Sequence, residues 1–297
     1  MRAYRPWSGT EAGAAPSRQA DDLWSDRAIA PGRSFFRTLA SATAPPVVAL
    51  IVILILWMGI IRWKDTSPLI APSPGDVVNA FRDNAPDILT ALWSTLLDAA
   101  AGLVLSTVIG IGLALVMSQS KLLERAIYPF TTLAQTIPVF AIAPLIGTMV
   151  GGGHTPVITV SLIIAVFPII ANATLGLTSV DSNHVSLFRL YNASRRQELL
   201  YLRLPYALPY ILTGIRVSSG LAIIGVIVGE VLLGNGGPQG GGLGYEIWFA
   251  ANQGLWGLLG ASALAAGLLG ILVFAGLGGI GSLALRHWHE SAVARET

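Results

Sequence analysis

Six long stretches of this chain hold almost no ionisable side chain. That single feature restricts the fold more than any other. Their approximate limits are 44–61, 92–117, 127–150, 156–178, 208–234 and 255–285. The first, third, fourth and sixth contain no Asp, Glu, Lys or Arg; the second holds only Asp98, and the fifth only Arg216 and Glu230. A bilayer core is crossed by roughly 20 apolar residues in a helix. Of the 297 residues, 11% are charged, against roughly 25% in an ordinary soluble domain. A soluble fold of this size lacks the polar skin it would need. The chain is therefore expected to be an all-α, polytopic membrane protein of about six transmembrane helices. Its expected divisions are an N-terminal tail (1–43), a transmembrane domain (44–285) and a C-terminal tail (286–297).

The charges outside the spans orient them. Residues 1–43 are polar, carry six arginines, and read as a flexible tail or a short interfacial helix rather than a signal peptide. On one side of the membrane lie this tail, the 118–126 loop, the 179–207 segment and the C-terminus, with fourteen Lys and Arg; the other side has Arg62, Lys64 and Arg82. The positive-inside rule places both termini in the cytoplasm. With no cysteine, disulfides and thiolate chemistry are excluded. The four histidines are too scattered for a metal cluster, and the net charge of +2 does not point to nucleic acid.

Prolines inside the spans (Pro129, Pro138, Pro144, Pro168) mark breaks expected to face other helices or a water-lined path. Gly102, Ser106 and Gly110 recur every four residues and let another helix approach closely. The most informative polar stretch is 179–207. Ser194 is placed to cap a helix whose first turn holds Gln197 and Glu198, a Ser-x-x-Gln capping box. Leu199, Leu202 and Tyr191 form a candidate apolar stripe, with arginines on other faces. Pro205 and Pro209 are expected to close the segment. Such a helix suits either docking into a groove of another protein or an ordinary interfacial loop.

The run Asn192-Ala193-Ser194-Arg195-Arg196-Gln197-Glu198, followed by Leu202-Arg203-Leu204-Pro205, resembles the cytoplasmic coupling loop of bacterial ABC importer permeases. Leu204-Pro205 falls on that family's Leu-Pro, and Leu202 on its Ile. Asn192 stands where the family usually has Gly, and an Asn tolerates a left-handed backbone. Ser186-Leu187-Phe188 replaces the family's Glu-Ala-Ala. Four further stretches are similar to the nitrate/sulfonate/bicarbonate (taurine-type) group: Leu69 to Val78, Gln135 to Leu145, Phe167 to Asn172, and Gly229-Glu230 with Gly242-Leu243-Gly244-Tyr245. Together they cover about residues 45–285.

The resemblance implies a type I ABC importer permease fold with a cytoplasmic coupling helix, in the inner membrane of a bacterium. It implies a binding-protein-dependent transport subunit and not an enzyme. Its partners would be two copies of an ABC ATPase, a second permease copy (expected as a homodimer), an extracytoplasmic solute-binding protein and the lipid bilayer. Coupling to the ATPase would fall to Asn192, Ala193, Ser194, Arg195, Gln197, Glu198, Leu202, Leu204 and Pro205. No Gly-x-x-x-x-Gly-Lys-[Ser/Thr] occurs, so no P-loop holds ATP here. No cofactor is expected on this chain; ATP and magnesium would belong to the ATPase.

Gln135, Pro138, Asn172 and Glu230 are the candidate path or gate residues. Gln135 and Asn172 read equally as hydrogen-bonding partners within the bundle. Asp98 reads as an ion-pair partner of Arg62, Arg82 or another loop cation. Arg216 is expected to snorkel to the cytoplasmic surface. Two rival classes would leave their own signatures. A self-contained secondary transporter would show internal repeats and midplane acidic pairs. An intramembrane enzyme needs a nucleophile and base within the spans. Neither signature is visible.

Overall fold

A computed structural model describes residues 45, 48, 49, 51–61, 72–234 and 241–293 of the chain. The tail expected at 1–43 and most of the glycine run 234–242 lie outside the described residues. The chain divides into two compact units at Ile60. That boundary falls at the end of the apolar helix α1 (Ile51–Ile61), whose Ile51, Ile53, Ile55 and Leu56 are exposed. All that follows concerns the second unit.

Every regular element described there is helical. They are α2 (Pro74–Asp83), α3 (Ala85–Ser118), α4 (Lys121–Thr136), α5 (Val139–Val150), α6 (Thr155–Thr178), α7 (Ser182–Leu190), α8 (Arg195–Glu198), α9 (Leu204–Leu233), α10 (Leu243–Gln253) and α11 (Trp256–Val293). Four segments are long and apolar enough to cross a membrane: Ala85–Ser118, Thr155–Thr178, the continuous Arg195–Leu233, and Trp256–Leu285. At about 1.5 Å per residue, the 34 residues of α3 exceed the roughly 30 Å hydrocarbon core.

The stretch expected as one span at 127–150 is two shorter helices. Proline supplies the reason. Pro138 lacks an N–H and biases the residue before it toward extended backbone. Ile137 accordingly has ψ 122° and ends α4, while Pro138 caps α5. The start of α2 is set by the Ser73-Pro74-Gly75-Asp76 sequence. The Asp76 carboxylate accepts from the Ser73 N–H at 2.8 Å, and Ser73 Oγ accepts from the Asp76 N–H at 3.2 Å. The Ser73 N–H, and after it the Ser73 hydroxyl donating to the same carboxylate at 2.8 Å, hold the Asp76 carboxyl below its ordinary value. The cap is therefore intact at neutral pH and is lost only in acid, as pH falls through that lowered value.

Helix α6 is the centre of the bundle, with α3 and α9 as its main neighbours. Each contact is made through small residues. Ser106 Oγ donates to Gly102 O at 2.6 Å and to Leu162 O at 3.2 Å. On the other face, Ser161 Oγ donates to Ala222 O at 3.0 Å, and Ser218 Oγ to Ala165 O at 2.6 Å. A Cβ on Gly225 would sit 2.7 Å from Ser161 Cα. The small-residue stripe read from α3 is thus a packing face. Near the 179–204 loop the same three helices close over Ala114, Ala173, Leu177, Ala207 and Ile211. Outward faces carry exposed Val104, Val108, Leu268, Ile271 and Leu272, as suits a lipid or partner surface.

Gly225→Val is expected to destabilise the bundle by at least ~1–3 kcal/mol through overpacking. Gly220→Ala, where a Cβ meets nothing within 4 Å, is expected to be neutral or slightly stabilising. Thermal denaturation of the detergent-solubilised chain measures both.

Candidate functional site

Two clusters stand at opposite ends of the α3/α6/α9 bundle. The first is the connection from α6 to α9. Asp181 Oδ1 caps α7 by accepting from Asn183 N–H at 2.8 Å. That helix ends in a turn where Asn192 N–H donates to Arg189 O and Ala193 N–H to Phe188 O, each at 3.0 Å. This is the Schellman pattern, which needs a left-handed residue. Asn192 supplies it with φ 51°, alone among the described non-glycine residues in having a positive φ. Ser194 then opens α8 with the expected capping box. Ser194 N–H donates to Gln197 Oε1 at 2.8 Å, and Gln197 N–H to Ser194 Oγ at 3.3 Å.

The chain does not stop at Pro205. One π-helical turn, Leu199–Arg203, joins α8 to α9 without a break, and Leu204 N–H donates to Leu199 O. Pro205 and Pro209 sit within the continuing helix. Their missing N–H groups explain why the ladder shifts register just before them. Glu198 is buried: its Oε1 accepts from Arg203 Nε at 2.8 Å and Nη2 at 2.6 Å. Arg203 Nη1 also donates to Leu177 O at 3.2 Å, at the end of α6. The Glu198 carboxylate is therefore committed to fastening the loop, with Arg203 a partner that sequence reading missed. A polar cavity of about 200 Å³ beside it is bordered by Gln119, Arg189, Arg195 and Arg203.

The apolar face of this connection also differs from the expected stripe. Leu199 and Leu204 pack toward the core, and Leu202 is half-buried. The exposed apolar groups are Leu190 (79%), Tyr191 (82%) and Tyr201 (72%). Tyr191, Ala193, Gln197 and Tyr201 border a groove of about 510 Å³ with Leu187 and Phe188. Tyr191 was legible from its place in the pattern. Leu190 and Tyr201 were not, because the helix breaks between them and no single periodicity relates them.

At the opposite end, Glu230 is buried (3% exposed). Its carboxyl accepts from Thr95 Oγ1 at 2.9 and 3.1 Å and from Gly244 N–H at 2.7 Å. Thr95 Oγ1 in turn accepts from Leu243 N–H at 2.9 Å. Glu230 thus faces inward and holds the 242–244 turn against α3. A Cβ on Gly244 would lie 2.5 Å from Ile227 O, so the Gly-Leu-Gly sequence is what lets this turn approach. Asp98 pairs with His154 Nδ1 at 2.8 Å, not with Arg82; Arg62 lies outside the described residues. Sequence reading missed His154 because 56 residues separate it from Asp98.

The other candidate residues are dispersed. Gln135 and Pro138 are exposed at the α4–α5 junction. Asn172 is half-buried, donates to Pro168 O at 2.8 Å, and borders a cleft of about 350 Å³ with Glu124 and Tyr128. Arg216 is exposed and lies over the Phe274 ring, 4.4 Å from its centroid. Among the described residues no three His, Asp or Glu side chains gather as metal ligands.

Long apolar helices, a capped loop at one end and a clamped turn at the other describe a helical membrane protein. Residues 106–287 match the family described as binding-protein-dependent transport system inner membrane component, and the chain belongs to that family. It is 35% identical over 193 residues to the formylaminopyrimidine transport permease protein of Halalkalibacterium halodurans, covering 65% of this chain and 77% of that one. It is 28% identical over 239 residues to the nitrate import permease protein of Synechocystis, covering 77% and 84%. A putative aliphatic sulfonates transport permease protein of Bacillus subtilis is 27% identical over 219 residues, covering 73% and 76%. The chain is a permease subunit of an ABC importer of this type, which decides against a self-contained secondary transporter.

Glu230→Ala should destabilise the chain by about 1–3 kcal/mol, because the Gly244 N–H and Thr95 hydroxyl lose their buried acceptor. Glu230→Gln keeps an acceptor oxygen and should cost less. Denaturation midpoints in micelles distinguish the two. Asn192→Val should cost about 1–2 kcal/mol at its left-handed position, whereas Asn192→Gly should not.

Proposed function

We propose that the chain pairs with a second permease copy, as a homodimer, to line the path of a small solute. A solute-binding protein delivers the solute on the outer face, and two separate ATPase subunits drive it. Their ATP and magnesium stay on those subunits. In this reading the chain crosses the membrane about six times, with both termini in the cytoplasm, in the type I importer arrangement. The glycine-flanked turn clamped by Glu230 is then on the outer side, and the 179–207 connection faces the cytoplasm.

One observation carries the coupling role. The α7–α8 connection presents Leu190, Tyr191 and Tyr201 outward while being fastened to α6 and α9 through Glu198, Arg203 and Leu177 O. Large apolar groups exposed on a firmly tied turn are suited to a protein interface. A push on Asn192, Ala193 or Ser194 is then passed through the continuous Arg195–Leu233 helix into the bundle. Gln197 borders the same groove, Arg195 borders the polar cavity beside Glu198, and Leu202, Leu204 and Pro205 form the base of the lever. Gln135, Pro138 and Asn172 are the polar and broken-helix positions assigned to the path.

The relatives' names span nitrate, bicarbonate, aliphatic sulfonates, riboflavin and formylaminopyrimidine. Family membership therefore supports a small solute without choosing among inorganic anions, organic anions and heterocycles.

The Leu190→Asp/Tyr191→Asp double variant tests the coupling surface. It should insert in the membrane normally yet retain at most about a tenth of the ATPase subunit on co-purification, a loss of ~1.4 kcal/mol or more. Normal ATPase retention and uptake would refute the docking role. Glu198→Gln should loosen the loop and lower ATPase stimulation without abolishing assembly.

A further inference from the structure

The polar cavity of about 200 Å³ beside the α7–α8 connection is bordered by three guanidinium groups, Arg189, Arg195 and Arg203, and by one carboxylate, Glu198. Glu198 is committed to Arg203. Among the described residues neither Arg189 nor Arg195 makes a side-chain hydrogen bond or an ion pair. The cavity therefore carries a surplus of two positive charges, three guanidinium groups less one carboxylate. Like charges that converge repel, and an opposite charge entering between them relieves the repulsion. Arg195 adds to the strain, because it opens the continuous helix Arg195–Leu233, where the helix dipole disfavours a cation. The remaining wall is Ser118 and Gln119 at the C-terminal end of α3. The Gln119 side-chain amide donates one hydrogen to Leu115 O at 3.2 Å and keeps a second for a ligand.

We propose that this cavity binds an oxyanion of the phosphate or sulfate class, gripped by Arg189 and Arg195, which ties the α7–α8 connection to the end of α3. Only its placement on the cytoplasmic side rests on the permease reading above. Three observations select this ligand. The first is size. The cavity is smaller than the roughly 300–1,000 Å³ of pockets for drug-sized molecules, which suits an ion. The second is chemistry. Two unpaired guanidinium forks match the paired oxygens of phosphate or sulfate. The third is direction. Glu198 and Leu199 follow Arg195 by three and four residues and share its helix face. That face is turned to the bundle, since Glu198 is buried and Leu199 packs against the core. Gln197 and Tyr201 lie on another face and border the apolar groove. The cavity and the groove have no lining residue in common. An ATPase seated on Tyr191 and Tyr201 therefore leaves the cavity to a small anion. A free inorganic ion and the phosphate of a lipid headgroup offer the same oxygens, and the experiment separates them.

The probe is radiolabelled inorganic sulfate, titrated into the full chain in a neutral detergent and followed by equilibrium dialysis, with chloride adjusted to hold ionic strength constant. A single sulfate should bind per chain, and inorganic phosphate should displace it. Arg189→Gln should weaken binding about tenfold or more, and Arg189→Lys, which keeps the charge but loses the fork, should weaken it less. Unfolding midpoints in chloride alone should agree among the three forms, because Arg189 is exposed and has no partner to lose. If Arg189→Gln fails to fold, Arg195→Gln is read identically. In phosphatidylcholine nanodiscs, added phosphatidic acid should displace the label if a headgroup is the natural occupant and leave it in place if a free ion is; either result keeps the site. Sulfate binding that is indifferent to both arginines would overturn the proposal, as would no binding in detergent together with no arginine-dependent binding of phosphatidic acid. Displacement of the Arg189-dependent label by the nucleotide-free ATPase subunit would assign the cavity to an acidic group of that partner and would also overturn it. Normal ATPase association without arginine-dependent anion binding refutes this inference alone. Failure of any ATPase to associate with the unmodified chain refutes the permease assembly itself.

Discussion

Helix α6 is approached from both sides at distances that only small side chains permit. Gly102, Ser106 and Gly110 of α3 meet one face; Gly214, Ser218, Gly225 and Gly229 of α9 meet the other. In hydrocarbon there is no solvent-driven force between apolar helices, so close van der Waals contact and interhelical hydrogen bonds must hold them. Serine hydroxyls supply those bonds by donating to carbonyls of the neighbouring helix (Ser161 to Ala222, Ser218 to Ala165, Ser106 to Leu162). The three helices therefore behave as one stiff block, and both functional ends are attached to it.

That stiffness gives the α6–α9 connection its meaning. A floppy loop would absorb any force applied to it. Here the backbone is fixed by a Schellman turn at Asn192, a capping box at Ser194 and a buried Glu198–Arg203 pair that reaches the Leu177 carbonyl near the end of α6. Helix continuity from Arg195 to Leu233 then joins the loop to the Glu230 clamp at the far end. In the proposed mechanism, motion imposed at one surface appears at the other because little between them can bend. The π-helical turn at Leu199–Arg203 is the one irregular point in that rod, placed where two prolines interrupt the normal ladder.

The local signals at these sites were legible because they are local. A Ser-x-x-Gln capping box, an asparagine at a glycine position and a run of small residues at four-residue spacing each work within one or two helical turns. The clamp around Glu230 was half legible. The glutamate stood out as an acid in an apolar span, but Thr95 and Gly244 are 135 and 14 residues away. Nothing in the chain order indicated that its carboxyl would turn inward. The same holds for Asp98, whose partner proved to be His154, 56 residues away, and for Glu198, read as a docking group but bound to Arg203.

The sequence by itself determined the solvent, the helical class and the family. Those depend on how rarely charge interrupts the apolar spans and on short motifs carried in order. Only the tertiary structure decided which polar groups are spent on holding the bundle and which are left facing outward. Burial is a property of neighbours: Glu230 and Glu198 lie in crowded junctions that satisfy them, whereas Arg189 and Arg195 border a cavity whose one carboxylate is already taken. Whether a charge is fastener or site depends on that packing, which the order of residues does not contain.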